Sequence, residues 1–194
     1  MNDSDRLHCP ATLRAILLAD LLTTPATAMA RSDLNRFFLA SMIAGQAADT
    51  GCLPAHLGLG DKNYQHLVAE YFLGFDAPAP SRQVQKVPEW DELQKLLLDH
   101  RAHEYQSEIW IADIVATACT GHNHLWQDLG LANRDELSRL MWVNFPELAR
   151  HNTGNMKWKK FIYRRFCSSE GIYVCPAPSC GECKDYGKCF APEN

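Results

Sequence analysis

Apolar residues recur along this chain at helical spacing, and no segment sustains the strict alternation of a half-buried strand. Leu13, Ile16, Leu17 and Leu21 mark a first amphipathic helix that must stop before Pro25. Ser32 is placed to cap a second helix through Phe37, Phe38, Met42 and Ile43. The stretch from Gly51 to Gly60, with Pro54 inside it, reads as a loop. Asp61 is then placed to cap a helix through Leu67, Val68 and Phe72 that Gly74 closes. Residues 76–88 are rich in proline and polar side chains and read as a surface connection.

Pro88 suits the first turn of a helix through Trp90, Leu93, Leu96 and Leu97. A further helix is expected from about Glu104 to Thr120, burying Ile111, Ile114, Val115 and Ala118. Asn133 with Glu136 has capping-box spacing ahead of Leu137, Leu140 and Met141. Pro146 restarts a short helix. The last runs from Met156 to Cys167, with Trp158, Phe161, Ile162 and Phe166 on one face and Lys159, Lys160, Arg164 and Arg165 around it. After Glu170 the pattern dissolves into Pro, Gly, Ser and Cys. The fold class expected is all-α: one compact helical domain over residues 1–168, with an irregular, cysteine-rich, metal-cluster-binding segment over 169–194 packed on it.

Composition changes this picture little. With 194 residues, 46% hydrophobic and 22% charged, the chain is an ordinary globular domain with room for a real core. Charge distribution adds more. Residues 1–156 hold 12 Lys/Arg against 19 Asp/Glu, a net of −7, whereas residues 157–194 hold 7 against 4, a net of +3. An acidic body gives no general reason to expect nucleic acid or membrane as a partner. The longest apolar runs are too short and interrupted to span a bilayer, and no secretory leader is legible. The expected location is cytoplasmic, where thiols stay reduced and clustered cysteines more often hold metal than form disulfides.

Four of the eight cysteines close the chain: Cys175, Cys180, Cys183 and Cys189, spaced C-x4-C-x2-C-x5-C. Short spacings between glycines and prolines let one loop converge several thiolates on a core a few ångströms wide, as iron–sulfur clusters require. Structural zinc usually takes two C-x2-C knuckles, and only Cys180 and Cys183 form one here. Spacing favours a cluster and leaves zinc as the alternative. Cys167 ends the last helix close enough in sequence to approach such a site, although a packed helix cysteine is the plainer reading. Cys9, Cys52 and Cys119 read as small buried hydrophobes.

Among the histidines, His122 and His124 in Gly121–His124 (GHNH) are suggestive, because two imidazoles past a helix end can meet a metal or an oxyanion. Helix-cap or surface hydrogen bonding is the plainer reading. His100 and His103, three apart, read as a solvated helix face. No nucleophile elbow, phosphate-binding loop, H-E-x-x-H or dinucleotide fingerprint occurs. A carrier or scaffold fits that inventory better than a hydrolase or dehydrogenase. An iron-only redox or sensor protein and a zinc-stapled interaction module remain open on the residues alone.

The stretches Ala40–Gly45 (ASMIAG), Leu53–Leu59 (LPAHLGL), His124–Leu131 (HLWQDLGL) and Asn155–Tyr163 (NMKWKKFIY) resemble the NifQ family. The tail Cys175–Cys189 (CPAPSCGECKDYGKC) completes the resemblance, in family order and without departure at the four cysteines. The resemblance implies a protein of nitrogen fixation that binds a molybdenum–iron–sulfur cluster of the MoFe3S4 type. It further implies donation of molybdenum for nitrogenase iron–molybdenum cofactor assembly, to a cofactor scaffold complex and with the nitrogenase iron protein among the recipients. Cys175, Cys180, Cys183 and Cys189 are the cluster ligands it implies. Four cysteines that give each metal one sulfur leave molybdenum short of ligands. Solvent oxygen, His122, His124 and Cys167 are then the candidates for labile additional positions.

Overall fold

The computed structural model describes residues 10–75 and 87–169. Among them lie ten α-helices, one short 3-10 helix and no strand. In chain order they are α1 (Pro10–Thr23), α2 (Ala28–Ser32), α3 (Asn35–Ala47), the 3-10 turn Ala55–Gly58, α4 (Gly60–Tyr71) and α5 (Trp90–Asp99). Then follow α6 (Glu108–Ala118), α7 (Leu125–Asp128), α8 (Arg134–Asn144), α9 (Pro146–Arg150) and α10 (Trp158–Ser169). The expected connection at 76–88 falls almost wholly outside the described residues.

Two helices, α3 and α6, are enclosed by the others. Every residue from Phe38 to Gln46 in α3 is buried, and so is nearly all of α6. Both lack charge along their middle turns apart from Asp113, so neither has a face that demands water. Around them α1 packs along α3, α5 along α6, and α8 against α3, all on one continuous apolar core that reaches from Leu21 to Phe166. Gly45 explains how close that packing is. A Cβ there would penetrate the backbone of Gly130, which itself adopts φ +70°.

Of the buried side-chain polar atoms among the described residues, Trp126 Nε1 lacks a hydrogen-bond partner; those at one end of the core form a paired network. Asp33 accepts from the Tyr71 hydroxyl, from Ser107 Oγ at 2.6 Å and from the Asn35 backbone N–H at 2.7 Å. Asn35 and Asn144 exchange amide hydrogen bonds at 2.7 Å in both directions. This network ties α3, α4, α6 and α8 together at one end of the molecule and leaves none of these groups to destabilise the interior. Burial, with the adjacent Asp33, pushes the Tyr71 phenol well above its usual range.

Several element boundaries differ from the sequence expectation, each for a local reason. Ser32 does not cap α3. It ends α2, and the capping role falls to the Asp33 carboxylate. In α1 the expected stripe is rotated: Leu21 is buried and Leu17 packs on the core, but Leu13 and Ile16 are exposed at 37% and 41%. Arg14 takes the inner position instead. Its guanidinium donates to Gly130 O at 2.9 Å, to Ser41 Oγ and to Glu136, so the inward face is Arg14, Leu17, Leu18 and Leu21. The helix expected from Glu104 begins at Glu108. The buried Glu108 carboxylate accepts the backbone N–H groups of His103, Glu104 and Tyr105 at 2.8–2.9 Å, which spends those residues on a turn. His100 and His103 therefore share no helix face: His100 caps α5, and His103 sits at φ +64°. The loop from Gly51 contains the 3-10 turn, in which His56 and Leu57 are both left-handed at φ +56°. Leu57 is wholly buried, and the Gln46 amide donates to Pro54 O, which hold that strained backbone in place.

Candidate metal centre

Cys175, Cys180, Cys183 and Cys189 lie outside the described residues, as does Cys9. The described structure shows the helix that precedes them in sequence, α10, and the loop against it. Trp158, Phe161, Ile162, Phe166 and Cys167 are buried, as the helical spacing predicts. Trp158 Nε1 donates to Ser138 Oγ on α8 at 3.1 Å. One face of α10 is thereby committed to the core up to Cys167, its last described side chain.

Lys159, placed by the helical spacing among the basic residues around the apolar face, points inward. Its ammonium donates to Gly121 O and Asn123 O, both at 2.9 Å, and to the Asp128 carboxylate. Asp128 is completely buried and also accepts the Asn123 backbone N–H at 3.1 Å. Gly121 lies so near this carboxylate that any Cβ would collide with it. The loop that carries His122 and His124 is thus clamped between α10 and α7. His122 is exposed and His124 half-buried. The backbone N–H of His124 donates to Gln127 Oε1 at 3.1 Å, in a capping arrangement at the start of α7.

The structure brings His122 and His124 to the first turn of α10 and Cys167 to its last. With about 1.5 Å of rise per residue, roughly 12 Å of helix separates Lys159 from Cys167. The histidine loop therefore meets α10 about two turns before Cys167. Among the described residues no group of three or more His, Cys, Asp or Glu side chains is placed to hold a metal ion.

Among the described residues, Cys52, Cys119 and Cys167 are in no disulfide. Cys52 contacts Ala118 O at 3.9 Å, and its own N–H donates to Asp128 O at 2.9 Å. Burial pushes the Cys119 thiol up to about 12. The Lys159 ammonium opposes that shift, while Asp128 and Cys52 add to it. A thiol must lose its proton to bind metal, so Cys119 is a poor ligand and a good small core residue. Tyr163 is likewise raised to about 12, by burial and by the neighbouring Cys119, Glu89 and Cys167.

Sequence reasoning missed the Lys159–Asp128 pair. A signal was present: Asp128 falls between Leu125 and Leu129 at buried helical register, where a carboxylate requires a partner. Which cation would supply it was not legible. No helix among the described residues is long and apolar enough to cross a membrane.

Comparison with known proteins agrees with the resemblance. The NifQ family model matches residues 38–191, a span that includes all four tail cysteines. The chain is 40% identical to protein NifQ of Azotobacter vinelandii, over 82% of this chain and 89% of that one. It is 34% identical to protein NifQ of Rhodobacter capsulatus, over 81% and 88% of the two chains. To protein NifQ of Klebsiella pneumoniae it is 49% identical over 41% of this chain and 48% of the other. No solved structure matches. With a family model spanning most of the chain and two relatives aligned over 89% and 88% of their own length, the chain belongs to the NifQ family, which takes part in nitrogenase iron–molybdenum cofactor biosynthesis.

Proposed function

We propose that this protein is a cargo carrier rather than an enzyme. It holds a molybdenum–iron–sulfur cluster on Cys175, Cys180, Cys183 and Cys189 and donates molybdenum for cofactor assembly. The observation that carries this reading is the four-thiol set itself, complete within fifteen residues and inside the family-matched span. Soft thiolate donors suit sulfide-bound iron and reduced molybdenum, whereas molybdate is a hard, hydrated oxyanion. A sulfur-rich carrier suits molybdenum that is already sulfur-bound and keeps it in that ligand set until delivery. The net charge of +3 on residues 157–194 suits an anionic, thiolate-bound cargo.

In this reading residues 1–168 form the helical body and 169–194 the cargo-holding segment. The recipients are the nitrogenase cofactor scaffold complex and the nitrogenase iron protein. The molybdenum corner takes its additional, labile ligands from solvent oxygen, from His122 or His124, or from Cys167. Cys167 is on α10 itself, and the loop that carries the two imidazoles is clamped to α10 through the carbonyls of Gly121 and Asn123.

The test is metal analysis of protein purified without oxygen from molybdate-supplied cells. Sulfur-bound molybdenum with about three irons per chain, lost on Cys→Ala change at any of the four tail positions, is the expected result. Iron alone in fully loaded protein would make it an iron–sulfur redox or sensor protein. Zinc alone would overturn the cluster assignment.

A further inference from the structure

Basic residues line the side of α10 opposite the core, beginning with Lys157 just before it. Trp158, Phe161, Ile162, Phe166 and Cys167 face inward and Lys159 pairs with Asp128; Lys157, Lys160 and Arg164 lie on the outer side. At 100° per residue these three fall within an arc of about 60°. Lys160 is exposed, and Lys157 and Arg164 are half-buried. No ion pair among the described residues involves Lys157 or Lys160. Arg134, whose guanidinium holds Asn155 O and Met156 O at 2.9 and 3.1 Å, extends the same charge around the start of the helix. Residues 1–156, in contrast, carry a net −7.

We infer that this outer stripe is the docking surface for a protein acceptor that presents a compact carboxylate-rich patch. The inference rests on the carrier reading for the acceptor's identity, because the stripe immediately precedes the cargo cysteines in sequence. Its size selects a globular protein over a polyanion. From Lys157 to Arg164 the stripe is only about 10 Å long. A nucleic acid or an anionic bilayer extending past it meets a chain whose residues 1–156 carry a net −7. Trp158, Phe161 and Phe166 of α10 are buried and Tyr163 is half-buried against the core, so no stacking platform for bases accompanies the charge. A discrete acidic patch gains the attraction without the repulsion. Placed beside the cargo, such a surface raises the encounter rate and orients the donor segment.

The test uses full-length, metal-loaded protein and the nitrogenase cofactor scaffold complex. Association kinetics are measured between 50 and 300 mM salt for wild type, Lys157→Glu/Lys160→Glu and the charge-neutral Lys157→Gln/Lys160→Gln. The expected result is an association rate lowered about tenfold by charge reversal and less by neutralisation, with a flatter salt dependence and little change in dissociation. Iron and molybdenum per chain and thermal midpoint serve as controls and stay at wild-type values. Unchanged association with intact metal content would sink the docking surface and leave the carrier reading standing. Salt-dependent association of a chain that proves to hold iron alone would sink the carrier reading and keep the surface. Binding to RNA or to vesicles with 30% phosphatidylserine, lost in the charge-reversed variant, would overturn the protein acceptor.

Discussion

The ammonium of Lys159 on α10 and the fully buried carboxylate of Asp128 at the end of α7 form an ion pair across 31 residues of sequence. Through the same ammonium, Gly121 and Asn123 are held by their carbonyls. One side chain thus fixes the position of the last described helix and of the loop that bears His122 and His124.

Replacing Lys159 with Met is expected to destabilise the fold by about 3–5 kcal/mol, because it leaves Asp128 charged, buried and without its cation. The double variant Lys159→Met/Asp128→Asn should recover a large part of that loss. Urea unfolding of the two single variants and the double variant measures the coupling. Additive losses would show that the pair is not the anchor described.

Gly45→Ala should cost about 1–3 kcal/mol, since its methyl group meets the backbone of Gly130 in the turn after α7. Gly121→Ala is expected to be comparably harmful through collision with the Asp128 carboxylate. Thermal unfolding with equal helical content in the native baseline reads both. The control Gly74→Ala has nothing near its Cβ and tests only the positive-φ cost, about 1 kcal/mol.

Alkaline pH should weaken the fold. Cys119 titrates near 12 when folded and at the ordinary thiol value when unfolded. Below about pH 9 both states hold the proton and stability is unaffected. Between pH 9 and 12 only the folded state keeps it, so stability falls by up to about 1.4 kcal/mol per pH unit. Tyr163 adds to the fall between pH 10 and 12. Urea midpoints at pH 8, 10 and 11 should decline, and Cys119→Ala should decline less steeply. Equal slopes would contradict the buried, protonated thiol.

Alanine at Cys175, Cys180, Cys183 or Cys189 should abolish bound molybdenum and iron while the helical signal in far-ultraviolet circular dichroism stays within a few per cent. Alanine at both His122 and His124 should keep iron but reduce molybdenum retention and speed its loss to chelators. X-ray absorption at the molybdenum edge distinguishes lost nitrogen or oxygen neighbours from lost sulfur. Wild-type molybdenum retention in the histidine variant would exclude the imidazoles as ligands.

The chain's own pattern determined that the protein is helical and where most helices run. Repeats such as Leu93, Leu96 and Leu97, or Trp158, Phe161 and Ile162, encode burial on one face wherever they fold. The four tail cysteines and their spacing are also read from the sequence alone; they lie outside the described residues, and their role as cluster ligands is the proposal made above. What depended on packing was set by tertiary structure. Arg14 displaced Leu13 and Ile16 from the inner face of α1 because Glu136 and Gly130, over a hundred residues away, offered acceptors. Lys159 left the basic stripe because a buried carboxylate demanded a cation and this one was within reach. Charge and hydrogen-bond partners are long-range in sequence and short-range in space, so only the folded chain decides which polar side chain turns inward.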